Sequence, residues 1–337
     1  MYYSKSIDSK EIFDKLKVSK GKSSDNKEKE NEIKQYKKYQ GKYHTIYLNL
    51  SSNVFSFETL DAFISSINCK LKTDIEELYP NSKVLKKYDD DIVVNLKKLY
   101  LETDKKFILV IDEWDYIITN KKFTDKERYN YIDFLKYLIK DSFFIAFVYM
   151  TGITAIAKEL SRSTLNCFKE YTMLNDKKYY KYFGFTEEEV HELCSKNKNL
   201  TFENLRRWYN GYKSCNGKKI FNTWSVVRAL NSNIIENYWS PNSNEMKEII
   251  NYDIVSFNEE ILELINGNTI EIQLENYGVE DILNELEDNE HVKEILYSKM
   301  VTFGYLTYYN GKIFIPNEEL IRNWRSLIRL LHYYEFQ

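Results

Sequence analysis

Glycine and proline are scarce in this chain, at 10 and 3 of 337 residues. Nowhere does a glycine stand five residues before a Gly-Lys-Ser/Thr, so the chain contains no complete phosphate-binding loop. Cysteine and histidine number four each. Cys69, Cys167, Cys194 and Cys215 form no Cys-x-x-Cys pair, and His44, His191, His291 and His332 are equally dispersed. That spacing argues against a Cys/His zinc site, and four isolated thiols suit a reducing, cytoplasmic compartment. No apolar run reaches the roughly 18 residues of a membrane span. The opening Met1-Tyr2-Tyr3-Ser4-Lys5-Ser6 lacks the apolar core of a signal peptide. Charge of one sign is missing too: 48 basic and 51 acidic residues leave a net −3, which gives no global drive toward nucleic acid or an anionic membrane. There is no Gly-x-Ser-x-Gly elbow and no motif that pairs a nucleophile with a histidine.

What is present is a large apolar inventory, 43% hydrophobic and 16% aromatic, in a chain long enough for about two domains. Tyr, Lys, Asn and Ile are abundant. Their codons are AT-rich, so lysine-rich patches say little about function here. Residues 8–17 read as a short amphipathic helix with Ile12, Phe13 and Leu16 on one face. Residues 19–42 are polar, lysine-laden and without apolar period, and are expected to be a disordered insertion. A strand follows at 45–50, then helices at 57–78 and 83–101, a strand at 106–111, a helix at 125–140 opened by the Thr124/Glu127 capping box, and a third buried strand at 143–150. This alternation predicts a parallel α/β sheet over residues 1–178. Residues 179–337 read as a mainly helical second domain, with Thr186 and Glu189 capping one helix. It carries a single hairpin, Tyr305–Tyr309 and Lys312–Ile315 about Asn310-Gly311, and is winged-helix-like in outline.

The most specific pattern is Phe107-Ile-Leu-Val-Ile-Asp112-Glu113-Trp114-Asp115, a buried strand ending in two acids, as in the Walker B segment of P-loop nucleotidases. A buried strand delivers its last residues rigidly to the carboxyl edge of a parallel sheet, where ligands bind. Asp112 would be the metal-side acid, holding Mg²⁺ through a water. Glu113 would polarise the attacking water. The plainer account is a strand that ends in solvated acids. Thr151, at the end of the next strand, occupies the place of a polar γ-phosphate sensor, or is simply a strand-to-loop cap. Arg162, ten residues beyond Gly152, is a candidate phosphate contact or arginine finger. Lys20-Gly21-Lys22-Ser23-Ser24 imitates the end of a phosphate loop. Leu16 stands where its first glycine belongs, and no buried strand precedes it. Glu271 and Gln273 suggest a nuclease Glu-x-Lys strand, but the lysine is absent. Trp208, Tyr209, Tyr212, Trp224, Tyr238 and Trp239 read as packing rather than as a base-stacking platform.

The ordered set of motifs resembles the AAA-ATPase-like domain that often precedes a PD-(D/E)xK nuclease domain. The matching stretches are Ile12–Lys17, Gly41–Leu48, Ile108–Tyr116, Met150–Ala157, Phe183–Glu189, Trp208–Tyr212, Phe221–Ser225, Gly304–Thr307 and Ile315–Glu319. They cover nearly the whole chain. The resemblance implies a partial P-loop NTPase-like sheet in which the first strand, the phosphate loop and the nuclease domain are absent. It also implies Asp112, Glu113 and Thr151 in the roles given above, with ATP and Mg²⁺ as cofactors where the site functions. Two other readings stand beside this one. In the first, the chain is a non-catalytic module that binds a protein partner through its helical half and hairpin. In the second, it is a nucleic-acid-associated module acting with a nuclease, motivated by the lysines at 20, 22, 27, 29, 34, 37, 38 and 42.

Overall fold

A computed structural model describes residues 2–3, 10–21, 25–51, 57–82, 91–155, 167–197, 199–239, 255–274 and 292–335. The chain divides into two units, Met1–Phe168 and Lys169–Gln337.

Unit 1 is built on a sheet in which β1 (Tyr2–Tyr3), β2 (His44–Asn49), β3 (Phe107–Asp112) and β4 (Ile145–Met150) lie side by side in that order. β2, β3 and β4 are parallel, and β1 adds an antiparallel pair to the outer edge of β2. The register runs from His44↔Phe107 to Asn49↔Asp112 on one side of β3 and to Ile111↔Met150 on the other. Phe107, Leu109 and Ile111 are buried on one face of the sheet, and Ile108, Val110 and Asp112 on the other are half-buried.

Three helices precede β2: α1 (Lys10–Asp14), α2 (Lys17–Lys20) and α3 (Asn26–Tyr39). α3 corrects the expectation of disorder over 19–42. It fully buries no residue, but Glu32, Ile33, Tyr36 and Gln40 form a half-buried face, and the Tyr36 hydroxyl donates to Asp14 on α1. Asp25 caps α3 by accepting from the Glu28 N–H, and its Lys, Glu and Gln residues are intrinsically good helix formers. The apolar face read at Ile12, Phe13 and Leu16 stays exposed.

The crossover from β2 to β3 contains α4 (Leu60–Leu78) and α5 (Ile92–Thr103). α4 buries Leu60, Phe63, Ile67, Leu71 and Ile75 at helical spacing. Asp91 opens α5 by accepting from the Val93 and Val94 N–H groups. The first part of the helix expected over 83–101 lies outside the described residues. From β3 to β4 the chain forms α6 (Tyr116–Thr119) and α7 (Asp125–Ile139). The Thr124/Glu127 capping box is present, and Glu127 also accepts from the Leu60 N–H at 3.1 Å, tying α7 to the start of α4. β4 differs from the expected buried strand. Among the described residues it pairs only with β3, and Phe147 and Tyr149 are 58% and 55% exposed.

In unit 2 a 3-10 turn at Tyr180–Tyr182 precedes α8 (Glu187–Lys196), which is opened by the Thr186/Glu189 capping box, and α9 (Phe202–Tyr209). A short ribbon of β5 (Tyr212–Lys213) and β6 (Lys219–Ile220) leads to α10 (Thr223–Ser232). α11 (Val255–Ile265), β7 (Ile270–Glu271) and α12 (Val292–Thr302) follow. The Asn310-Gly311 hairpin joins β8 (Thr307–Tyr309) to β9 (Lys312–Phe314), and α13 (Glu318–Glu335) closes the unit. Asn310 and Gly311 both have positive φ, as a type I′ turn requires. β7 pairs with β9, giving the order β7-β9-β8.

The short motifs of this half converge. The Glu319 carboxylate is buried and accepts from the Ser225 hydroxyl and from the Tyr238 and Trp239 N–H groups at 2.8–3.0 Å. Burial raises its pKa above the ordinary carboxylate value, and the donors oppose that shift. Tyr212 donates to the Gly304 carbonyl, and the Lys213 N–H to the Thr307 hydroxyl. Gly211 has φ +127°, and a Cβ there would sit 1.9 Å from the Pro316 carbonyl oxygen, so only glycine fits. No helix among the described residues is long and apolar enough to cross a membrane.

His44 opens β2 with its ring against Tyr79 and Phe107. Burial, aided by Lys105, lowers its pKa from 6.5 to about 4. The unfolded chain therefore binds the extra proton between those values, and the folded chain does not. Unit 1 is predicted to lose stability as pH falls from about 6.5 to about 4, a dependence that His44→Phe removes. Urea titrations of both proteins across that range check this. A slope unchanged in the variant would contradict it.

Candidate functional site

The carboxyl edge of the β2–β3–β4 sheet gathers side chains from all three strands. Asp112 ends β3, in register with Asn49 on β2. Thr151 follows β4, and its N–H continues the ladder to the Ile111 carbonyl at 2.9 Å. The Thr151 hydroxyl donates to Asp112 Oδ1 at 2.5 Å, and the Tyr47 hydroxyl donates to Oδ2 at 2.7 Å. One carboxylate is thus held between hydroxyls from its two neighbouring strands. These bonds favour the charged form, and the pKa of Asp112 is lowered, chiefly by Thr151, then by Tyr47, with a further contribution from the Glu113 N–H. The Tyr47 hydroxyl is raised in turn by its bond to Asp112.

Glu113 is exposed and has φ +53°, a left-handed conformation unusual for a residue with a side chain. Such a backbone costs about 1–2 kcal/mol and persists where the surroundings impose it. Those surroundings are visible on both sides of it. Leu50 N–H donates to the Asp112 carbonyl, and Trp114 N–H donates to the Thr151 carbonyl. Asp115 is buried, and its Oδ2 accepts from the Ile153 and Thr154 N–H groups and the Thr154 hydroxyl at 2.6–2.9 Å. The turn after β3 and the loop after β4 are therefore locked together. Gly152 lies at that junction, where a Cβ would come within 2.5 Å of the Trp114 ring. Tyr131 on α7 donates to the Trp114 carbonyl from below.

The structure thus brings together two of the expected residues, Asp112 and Thr151, and leaves Glu113 exposed directly beyond them. Arg162 lies outside the described residues. Lys20 ends α2 and Gly21 caps it, so neither follows a strand, and Lys22, Ser23 and Ser24 lie outside the described residues. Tyr47 and Asp115 were not singled out from the sequence. Tyr47 could have been suspected only from its place two residues before the end of β2. Asp115 could have been suspected only as a third acid after a buried strand.

No cluster of three or more metal-ligating His, Cys, Asp or Glu side chains occurs among the described residues. The chemistry of the edge nevertheless suits a hydrated divalent cation. Asp112 is held ionised, each of its oxygens keeps lone pairs beyond the one hydroxyl it accepts, and Mg²⁺ is commonly held by one or two carboxylates plus waters and substrate phosphates.

No family model matches the chain, and no curated protein matches it. Among solved structures it is similar to a Walker-type ATPase of Pyrococcus abyssi, at 11% identity over 83% of this chain and 84% of that one, with a TM-score of 0.42. It is also similar to the Aeropyrum pernix ORC2 protein in ADPNP–ADP complexes, at 10% identity over 90% of this chain and 83% of that one, with a TM-score of 0.36. The ADP form of ORC2 matches at 12% identity and a TM-score of 0.33 over the same shares. At these scores the assignment of a mixed α/β fold with a parallel sheet rests on the strand order and register given above.

Removing either hydroxyl is predicted to raise the Asp112 pKa, Thr151→Val more than Tyr47→Phe. Carboxyl ¹³C NMR titration reads this directly. A depressed carboxylate stabilises the fold above its ordinary value of 3.8 and loses that contribution as pH falls through its folded value. Both variants should therefore lose less stability on acidification than the parent. An unmoved Asp112 titration in Thr151→Val would contradict the clamp.

Proposed function

We propose that unit 1 is an ATPase-like module with its nucleotide-facing edge at Asp112, Glu113 and Thr151. The observation that carries the reading is the Asp112 carboxylate, fixed in its ionised form at the carboxyl end of the central parallel strand by hydroxyls from both neighbours. In this reading Asp112 is the metal-side acid, Glu113 accepts the proton of the attacking water, and the Thr151 hydroxyl faces the terminal phosphate. Mg²⁺, when bound with ATP, supplies charge neutralisation at the phosphates. No glycine-rich loop follows a strand among the described residues of unit 1. The backbone N–H cradle of such sites is therefore not part of the proposal. The β8–β9 hairpin between α12 and α13 is read as a winged-helix-like element of unit 2.

A second reading has its own observation. β4 carries Phe147 and Tyr149 exposed on a strand with no described partner on its outer side. Long apolar edge strands pair readily with other chains. A non-catalytic module that binds a protein through this edge would need no nucleotide.

Calorimetric titration with ATP, with and without Mg²⁺, separates the two. The ATPase-like reading predicts micromolar, Mg²⁺-dependent binding that Asp112→Ala abolishes. It predicts that Glu113→Gln retains binding and loses hydrolysis. Absence of binding up to millimolar ATP would overturn it in favour of the second reading.

A further inference from the structure

Arginine is the exception in this chain, with 8 residues against 40 lysines. A genome bias that fills basic surface positions with lysine does not explain a place where arginines gather. Five of the eight lie on two helices of unit 2, Arg206 and Arg207 on α9, and Arg322, Arg325 and Arg329 on α13. The two helices are joined at this point. Arg207 pairs with Glu318 at 3.8 Å, Glu318 also accepts from Arg322 at 3.1 Å, and the Arg322 guanidinium stacks 4.3 Å over the Trp208 ring. Arg322, Arg325 and Arg329 recur at i, i+3 and i+7. They therefore lie on one helix face over about 10 Å of its axis, and all three are exposed.

Beside this row lies a cleft of about 330 Å³, lined by Arg206, Arg207 and Lys219 together with Glu203, Asn210, Gly211 and Pro316. It forms where the Trp208–Tyr212 and Ile315–Glu319 motifs meet, and the mandatory glycine at 211 lets the backbone form one wall. Arg206 reaches Glu187 and Glu203 at 3.5 and 3.7 Å, contacts that orient the guanidinium without saturating its five donors. Lys219, Arg325 and Arg329 form no ion pair with any described residue. Six cations thus face three carboxylates, on a chain whose net charge is −3.

We propose that this α9–α13 face binds the phosphate backbone of a nucleic acid. Guanidinium forks match phosphate oxygens two at a time. A row of cations along a helix beside an open cleft fits a repeating polyanion better than a single enclosed anion. No exposed large hydrophobic residue lies on α9 or on the described side chains of α13, so the face lacks the apolar anchors of a membrane-binding helix. The proposal does not rest on the nucleotide edge of unit 1.

The test is fluorescence anisotropy of the full chain with a labelled single-stranded oligonucleotide, titrated between about 50 and 200 mM salt. The parent should bind, with the logarithm of affinity falling linearly with the logarithm of salt concentration. Arg325→Ala with Arg329→Ala, both exposed and without a described ion pair, should weaken binding at least about tenfold and lower the salt slope by about 1.4, or 0.7 per lost contact. Arg206→Ala with Arg207→Ala should act in the same direction. Lys37→Ala with Lys38→Ala on α3 should change neither affinity nor slope. Thermal melts equal to the parent's show that the variants fold. The proposal is overturned by no binding at low salt, by an unchanged slope in Arg325→Ala with Arg329→Ala, or by displacement of the oligonucleotide by equimolar inorganic phosphate. Capture on phosphatidylserine vesicles without oligonucleotide binding would overturn it as well.

Discussion

The hydroxyl clamp on Asp112 is the interaction on which the chemistry proposed for unit 1 depends. It exists only while β2, β3 and β4 keep their register. A slip of one residue would turn the Tyr47 or Thr151 side chain to the opposite face of the sheet and leave the carboxylate without that donor. The ladder is therefore continued past the strand ends, through Leu50 to the Asp112 carbonyl and through Thr151 to the Ile111 carbonyl. Asp115 performs the complementary task one turn later by holding the 153–154 backbone. The left-handed Glu113 between these two anchors is what remains when both sides of the turn are fixed. Its exposed carboxylate is set beside, and not within, the clamp.

Unit 2 is organised by a buried carboxylate used differently. Glu319 faces only donors, two of them backbone N–H groups. It fixes the 238–239 segment against the start of α13 and, through Ser225, against α10. Leaving such groups unpaired in the interior costs about 1–3 kcal/mol each, which makes this acid a structural keystone. Gly211 against Pro316 and Tyr212 against Gly304 complete the knot. The short motifs that mark this half of the sequence are thus first of all a packing device, and the arginine-lined cleft opens on its surface.

Much of this was legible in the sequence because it is local. The β3 run with its terminal acids, both capping boxes and the Asn310-Gly311 turn are each specified by residues a few positions apart. What was not legible is non-local, or depends on propensity without pattern. The Tyr47–Asp112 bond joins residues 65 apart in sequence, and no spacing rule connects them. The run from Phe143 to Met150 has the composition of a central strand. Whether it pairs on one side or on two is decided by the rest of the sheet. α3 is hard to read because its half-buried face, Glu32, Ile33, Tyr36 and Gln40, holds only two apolar residues, so the helix shows in its Asp25 cap and its strong helix formers rather than in an apolar stripe. The arginine face is non-local in the same way as the Tyr47–Asp112 bond: its residues are split between two helices more than a hundred positions apart.

The most direct test of the account is anomalous diffraction from crystals grown with Mn²⁺ and a non-hydrolysable ATP analogue. The clamp predicts a manganese peak at Asp112, either about 2.1 Å from a carboxylate oxygen or one water further out, with the terminal phosphate on the Thr151 side. It also predicts loss of the peak in Asp112→Asn. A nucleotide–metal complex bound elsewhere on the chain, with the Asp112 edge empty, would contradict it.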